Sequence, residues 1–110
     1  MARWLVRLGS VAEHDFADII AYTAETFGAR QARVYQSTLT KALTALHAGP
    51  DVIGSVARDE IEAGLKSLHV ARKGRRGRHL ILYRSMPGRI IEVVRILHDA
   101  MDLARHIPTR

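Results

Sequence analysis

Residues 95–102 read RILHDAMD, an arginine, a histidine and two aspartates directly after an apolar run. A histidine beside an arginine at a strand end can take a proton from a ribose hydroxyl. Arginines can at the same time stabilise the charge that builds on a pentavalent phosphate. Arg95 and His98 are the residues to which that chemistry would fall. The same stretch also reads as packing, with His98 capping the strand end and Asp99 or Asp102 opening a short final helix. Arg95 would then pair with one of those acids. The other histidines, at 14, 47, 69, 79 and 106, lack such flanks. No metal is expected. His98 and Asp102 are four residues apart, but two ligands are not a site, and there is no HExxH motif and no cysteine. No cofactor is expected either, because Gly74 and Gly77 lie between strands and not at a strand-to-helix junction.

The elements that would hold these residues are legible in the pattern. RWLVRL (3–8) alternates, with Trp4, Val6 and Leu8 on one face, as in a strand with one buried side. Ser10 stands three residues before Glu13, the spacing of a capping box. Ala12, Phe16, Ile19, Ile20, Thr23 and Phe27 then form one helical stripe that Gly28 stops. Ala32, Tyr35, Leu39, Ala42, Leu43 and Leu46 form a second stripe, closed by AGP at 48–50. Two helices, over 10–27 and 29–47, joined by so short a turn must lie antiparallel. Residues 49–64 read as an irregular connection with a helical turn near Asp59 to Ala63. LKSLHV (65–70), HLILYR (79–84) and RIIEVVRIL (89–97) follow as strands, the last two joined by SMPG (85–88), which suits a type II turn. The fold class is α+β in the order β-α-α-β-β-β, one domain over 1–110, with a helical hairpin packed on an antiparallel sheet of about four strands.

The last two strands are apolar on both faces. Leu80 and Leu82 alternate with Ile81 and Tyr83. Ile91, Val93 and Leu97 alternate with Ile90, Val94 and Ile96. The helices can cover only one side, and Met101, Leu103 and Ile107 offer the tail little to cover the other. The expectation is an open apolar sheet face, with a partner covering that face and the helix hairpin. The net charge of +6 is concentrated. RKGRRGR (72–78) carries Arg72, Lys73, Arg75, Arg76 and Arg78 with no acid, as suits either a solvated turn or a surface for an acidic partner. No apolar run is long enough to span a membrane, and the apolar stretch at the start is too short for a signal peptide, so the expected location is the cytoplasm.

Three stretches carry a resemblance. DIIAYTAETFGARQARVYQSTLTKALTAL (18–46) has a tyrosine, then FG, then QA, then a second tyrosine. HLILYR (79–84) resembles a family core strand, and VVRILHDAMDLARHI (93–107) a family ending. In this order, over nearly the whole chain, they resemble the RelE/ParE superfamily of toxins from bacterial type II toxin–antitoxin systems. The resemblance is to the ParE branch, whose members are often labelled plasmid stabilisation proteins. It implies a toxin that inhibits DNA gyrase and is neutralised by a cognate antitoxin whose C-terminal segment wraps it. RelE-type members instead cut messenger RNA in the ribosome, and a third possibility is an inert relative that only binds antitoxin. Fold alone does not separate these. The cutting branch implies several basic residues on the sheet and often a tyrosine or histidine near the C-terminus. This chain has only Lys66 and His69 on the first of the three late strands, and no tyrosine after Tyr83. No residue is therefore assigned as catalytic, Arg95 and His98 being the alternative. Arg72, Lys73, Arg75, Arg76, Arg78, Tyr83, Arg95, His98 and Met101 are assigned to binding antitoxin or target. Direct sequence-specific nucleic-acid binding is not expected.

Overall fold

The computed structural model describes residues 3–107. The strand β1 (Leu5–Leu8) leads into the helices α1 (Ser10–Phe27) and α2 (Ala29–Ala45). A 3-10 turn (Leu46–Ala48) leads on to the strands β2 (Ser55–Ala57), β3 (Lys66–His69), β4 (His79–Met86) and β5 (Ile90–His98). A 3-10 turn at Leu103–His106 ends the described chain. The strands form one sheet in the order β1-β5-β4-β3-β2.

Gly28 makes the hairpin possible. It ends α1 and opens α2 at φ 94°, ψ 164°, a region that only glycine enters readily. The capping box is not formed. Gly9 occupies the N-cap with no side-chain hydrogen bond, and its own N–H reaches Val93 O at 2.9 Å. The chain turns off the sheet at that bond, one residue earlier than a serine cap requires.

The α+β class and element order are as expected, with two differences in the sheet. It has five strands, because Ser55–Ala57 of the connection pairs antiparallel with β3. It is also mixed, since β1 lies parallel to β5. Short turns force consecutive strands antiparallel, but no turn joins β1 to β5, so nothing local sets their relative direction.

A bulge redistributes the side chains of β5. Leu82 pairs with Arg95 and Tyr83 with Val93, which leaves Val94 unpaired. Beyond it the alternation shifts by one. Ile91, Val93 and Ile96 face the helices with Ile81 and Tyr83, whereas Val94 and Leu97 join Leu65 and Leu82 on the far face. The alternation read from sequence had Ile96 and Leu97 exchanged.

The far face is not open. Leu65, Leu82, Val94 and Leu97 are buried beneath Ile61, Leu103 and Ile107. The turn around Ile61, closed by Ile61 and Glu62 N–H bonds to Arg58 O, and the tail together cover it. Exposed apolar surface lies instead on the hairpin. Tyr22 and Phe27 are 64% and 65% exposed and Val34 is 50% exposed. An α1 of 18 residues spans about 27 Å, and Phe27, at the far end of its apolar stripe, is exposed.

Candidate protein-binding groove

Arg95 emerges at the bulge and is an anchor. Its guanidinium makes a two-pronged pair with Asp15 of α1, Nε to Oδ2 at 2.7 Å and Nη2 to Oδ1 at 2.8 Å. Its third nitrogen donates to His106 O at 2.8 Å. Asp15 Oδ2 also accepts the Ile96 N–H at 2.9 Å, on the stretch of β5 beyond the end of β1. One carboxylate thus satisfies a strand donor and fixes the cation that ties helix, sheet and tail together. The bond to Asp15 raises the Arg95 pKa further above neutrality. The expected pairing of Arg95 with Asp99 or Asp102 does not occur. Asp102 stands at the start of the last 3-10 turn, but its side chain makes no capping bond.

Tyr83 is internal too. It is fully buried, its hydroxyl donates to Pro50 O at 2.7 Å, and burial pushes its pKa up to about 12. It presents no surface to a partner in this conformation. Met101 is 41% exposed, on the tail.

The basic turn and His98 come together at the ends of β3, β4 and β5. His69, His79 and His98 occupy these strand ends, and Asp99 follows directly. Asp99 accepts from His69 Nε2 at 2.9 Å and from the Arg78 guanidinium at 3.1–3.2 Å. Those two bonds, His69 first, hold its carboxyl down to about 2. The His79 ring lies 5.5 Å from the Tyr35 ring and 5.5 Å, edge-on, from that of His98. The Tyr35 hydroxyl accepts the Arg78 N–H at 3.1 Å and lies 2.6 Å from His79 Nδ1.

This geometry decides the His69 and His98 tautomers. Backbone N–H groups donate to Nδ1 of His69, from Ala71 at 3.0 Å, and of His98, from Ala100 at 3.1 Å. Neutral His69 and His98 therefore carry their proton on Nε2, with the Nδ1 lone pair engaged. The Tyr35 hydroxyl accepts the Arg78 N–H and lies 2.6 Å from His79 Nδ1, a contact in which either group can be the donor. His98 caps the strand end by accepting the Ala100 N–H.

Burial, and next the neighbouring His98, lower the His79 pKa to about 4. Between pH 6.5 and 4 the unfolded chain binds the proton that the folded chain refuses, so stability falls as pH falls through that window. The loss attributable to His79 is about 1–2 kcal/mol, allowing for solvent screening of this partly exposed ring. Asp99 adds a further loss below about pH 3.8, as its folded-state proton is taken up only near pH 2. Melting curves across pH 7 to 4 should show this slope, and His79→Gln should flatten it.

Residues 72–78 fold back against α2. Arg75 donates to Thr38 Oγ1 at 3.0 Å and to Val34 O at 3.3 Å, and Arg72 to Ile53 O at 3.1 Å. With Arg78 held by Asp99, only Lys73 and Arg76 of the five cations lack a hydrogen bond or ion pair among the described residues. Gly77 lets the turn approach. A Cβ there would lie 2.5 Å from Val70 Cγ2 and 3.0 Å from the Tyr35 hydroxyl. Gly77→Ala is expected to displace the turn and cost about 1–3 kcal/mol, read as a lower melting temperature and changed Tyr35 and His79 resonances.

Between this turn and the hairpin runs a groove of about 1340 Å³. Tyr22, Phe27 and Val34 form an apolar wall, Arg75 and Arg76 the basic rim, and His79 and His98 line it as well. A partner on the hairpin is expected from the sequence, but not that Phe27 forms part of its exposed wall, because Phe27 lies on the stripe that reads as core-facing. The signal was the length of that stripe against the short strands beneath it.

The fold is thus a helical hairpin on a five-stranded mixed sheet, with a groove between the hairpin and the basic turn. A family model for the ParE toxin of the type II toxin–antitoxin system parDE matches residues 6–103, and the chain belongs to that family. Toxin ParE1 of Mycobacterium tuberculosis is 31% identical over 100 residues, 91% of this chain and 94% of the relative. A chain of the chromosomal ParDE system from P. aeruginosa superposes with a TM-score of 0.67 at 16% identity, over 89% of this chain and 98% of that one. A chain of the RelBE2 toxin–antitoxin complex from Mycobacterium tuberculosis superposes at 0.57 with 23% identity, over 87% and 98%. Both likenesses are of fold. No helix among the described residues is long and apolar enough to cross a membrane.

Proposed function

We propose that this toxin acts by binding DNA gyrase in the cytoplasm, without cutting RNA, and that a cognate antitoxin neutralises it by laying an acidic amphipathic segment in the groove. The observation that supports this reading is the backbone N–H bond to Nδ1 of His98, which in the neutral Nε2–H ring occupies the lone pair that a base would use. Arg95, the other half of the arginine–histidine constellation, is committed to Asp15. The exposed apolar wall facing a basic rim supports an amphipathic partner bearing acids. Membership of the ParE family supports the gyrase target over the ribosome.

Inducible expression in a bacterium tests the target. Growth arrest with induction of the DNA damage response is the expected result. Arrest of translation without that response would point to the ribonuclease, and unimpaired growth to an inert relative.

A further inference from the structure

The three strand-end histidines differ in one respect. His69, with Nδ1 capped by the backbone N–H two residues on, turns its Nε2–H to a carboxylate at 2.9 Å. His98 has the same cap from Ala100, but its Nε2–H has no acceptor among the described residues. Nor has the Nε2 of His79, whose Nδ1 is engaged by Tyr35. Both rings line the groove, edge to face.

We infer that His79 and His98 form a carboxylate subsite in the groove, which receives an aspartate or glutamate of the bound peptide through their Nε2–H groups. This rests on the reading of the groove as the antitoxin's seat and specifies one contact within it. The donors are fixed before the ligand arrives. The Ala100 N–H sets the His98 tautomer, and a proton donated by the Tyr35 hydroxyl, itself held by Arg78, would set the same one at His79. A hydrogen bond from a preset donor to an ionised acceptor is among the stronger neutral-to-charged contacts. His69 and Asp99 already show this contact one strand away.

A peptide carboxylate is favoured over the phosphodiester backbone of a nucleic acid by the charge that is free. Arg72, Arg75 and Arg78 are spent on Ile53 O, on Val34 O with Thr38, and on Asp99. Two rim cations and two neutral N–H groups beside an apolar wall suit isolated acids on an amphipathic segment. A polyanion draws its affinity from many cations along its path.

The test uses the full chain at neutral pH, with ring-nitrogen NMR of the histidines and acetate as the probe. Both rings should show Nε2–H tautomers, and both Nε2 resonances should shift on titration with acetate. His98→Leu should lower acetate affinity about tenfold. His98→Gln, which restores a donor at the same reach, should recover it. An Nδ1–H tautomer at either ring would overturn the inference. So would acetate affinity unchanged in His98→Leu, or a preference for single-stranded polyuridylate that follows Lys73 and Arg76 and not the histidines. The tautomers are read on the unmodified chain, so a variant that folds poorly does not blunt the test. Failure here leaves the groove reading to be judged by its apolar wall. Failure of that wall to bind antitoxin would leave the acetate result standing.

Discussion

Asp15→Ala should lower the melting temperature by roughly 12–24 °C. Removing one partner of a largely buried, two-pronged pair leaves the other charge unpaired and costs about 3 kcal/mol, and a domain near this size loses roughly 4–8 °C per kcal/mol. Both side chains are mostly covered, at 13% and 18% exposure. Asp15 also serves the Ile96 N–H, which loses its acceptor. Asp15→Asn should fall between, because it keeps an acceptor oxygen for the strand but not the charge. Thermal unfolding by circular dichroism decides. A drop of less than about 3 °C for Asp15→Ala would mean that Arg95 finds another acceptor and that the pair does not hold α1 to the sheet.

Phe27→Ala and Tyr22→Ala should separate binding from folding. Both side chains are about two-thirds exposed, so their loss should change stability by no more than about 0.5 kcal/mol. If they form the apolar wall of the antitoxin's seat, each truncation should weaken antitoxin binding by about 30-fold, the scale of an aromatic hot spot. Calorimetric titration with the co-expressed antitoxin measures this. Unchanged affinity in both variants would place the antitoxin elsewhere.

The contrast between these two positions marks what was legible in the sequence. Gly28 between two stripes announced the hairpin, and the β-branched runs announced β4 and β5, because those signals are local. The Asp15–Arg95 pair was not readable. Its members are 80 residues apart and meet only once α1 lies across β5. The bulge at Val94 was equally hidden, since no glycine or proline marks it, and it exchanged the faces of Ile96 and Leu97. The far sheet face looked open because the tail holds few large side chains. Leu103 and Ile107, helped by Ile61, nonetheless cover its four buried residues.

The site was half legible. RKGRRGR stood out by composition, and it does line a groove with His98. The free charge is smaller than the count of cations implied, because three of the five are tied to backbone carbonyls, Thr38 and Asp99. Tyr83 and Arg95 were grouped with binding residues on their types alone, yet Tyr83 is wholly buried and Arg95 largely so. His79 was passed over as an ordinary strand residue. Its role depends on Tyr35, 44 positions earlier on another element.

The central claim is that this protein acts by binding and not by acid–base cleavage. The most direct measurement assays one purified preparation twice, for inhibition of gyrase supercoiling and for ribosome-dependent cleavage of messenger RNA, beside His98→Gln. The account predicts inhibition without cleavage by the parent protein, with inhibition kept in His98→Gln, which retains a hydrogen-bonding tip but has no imidazole. Cleavage by the parent that falls about a hundredfold or more in His98→Gln would contradict it and make His98 a general base.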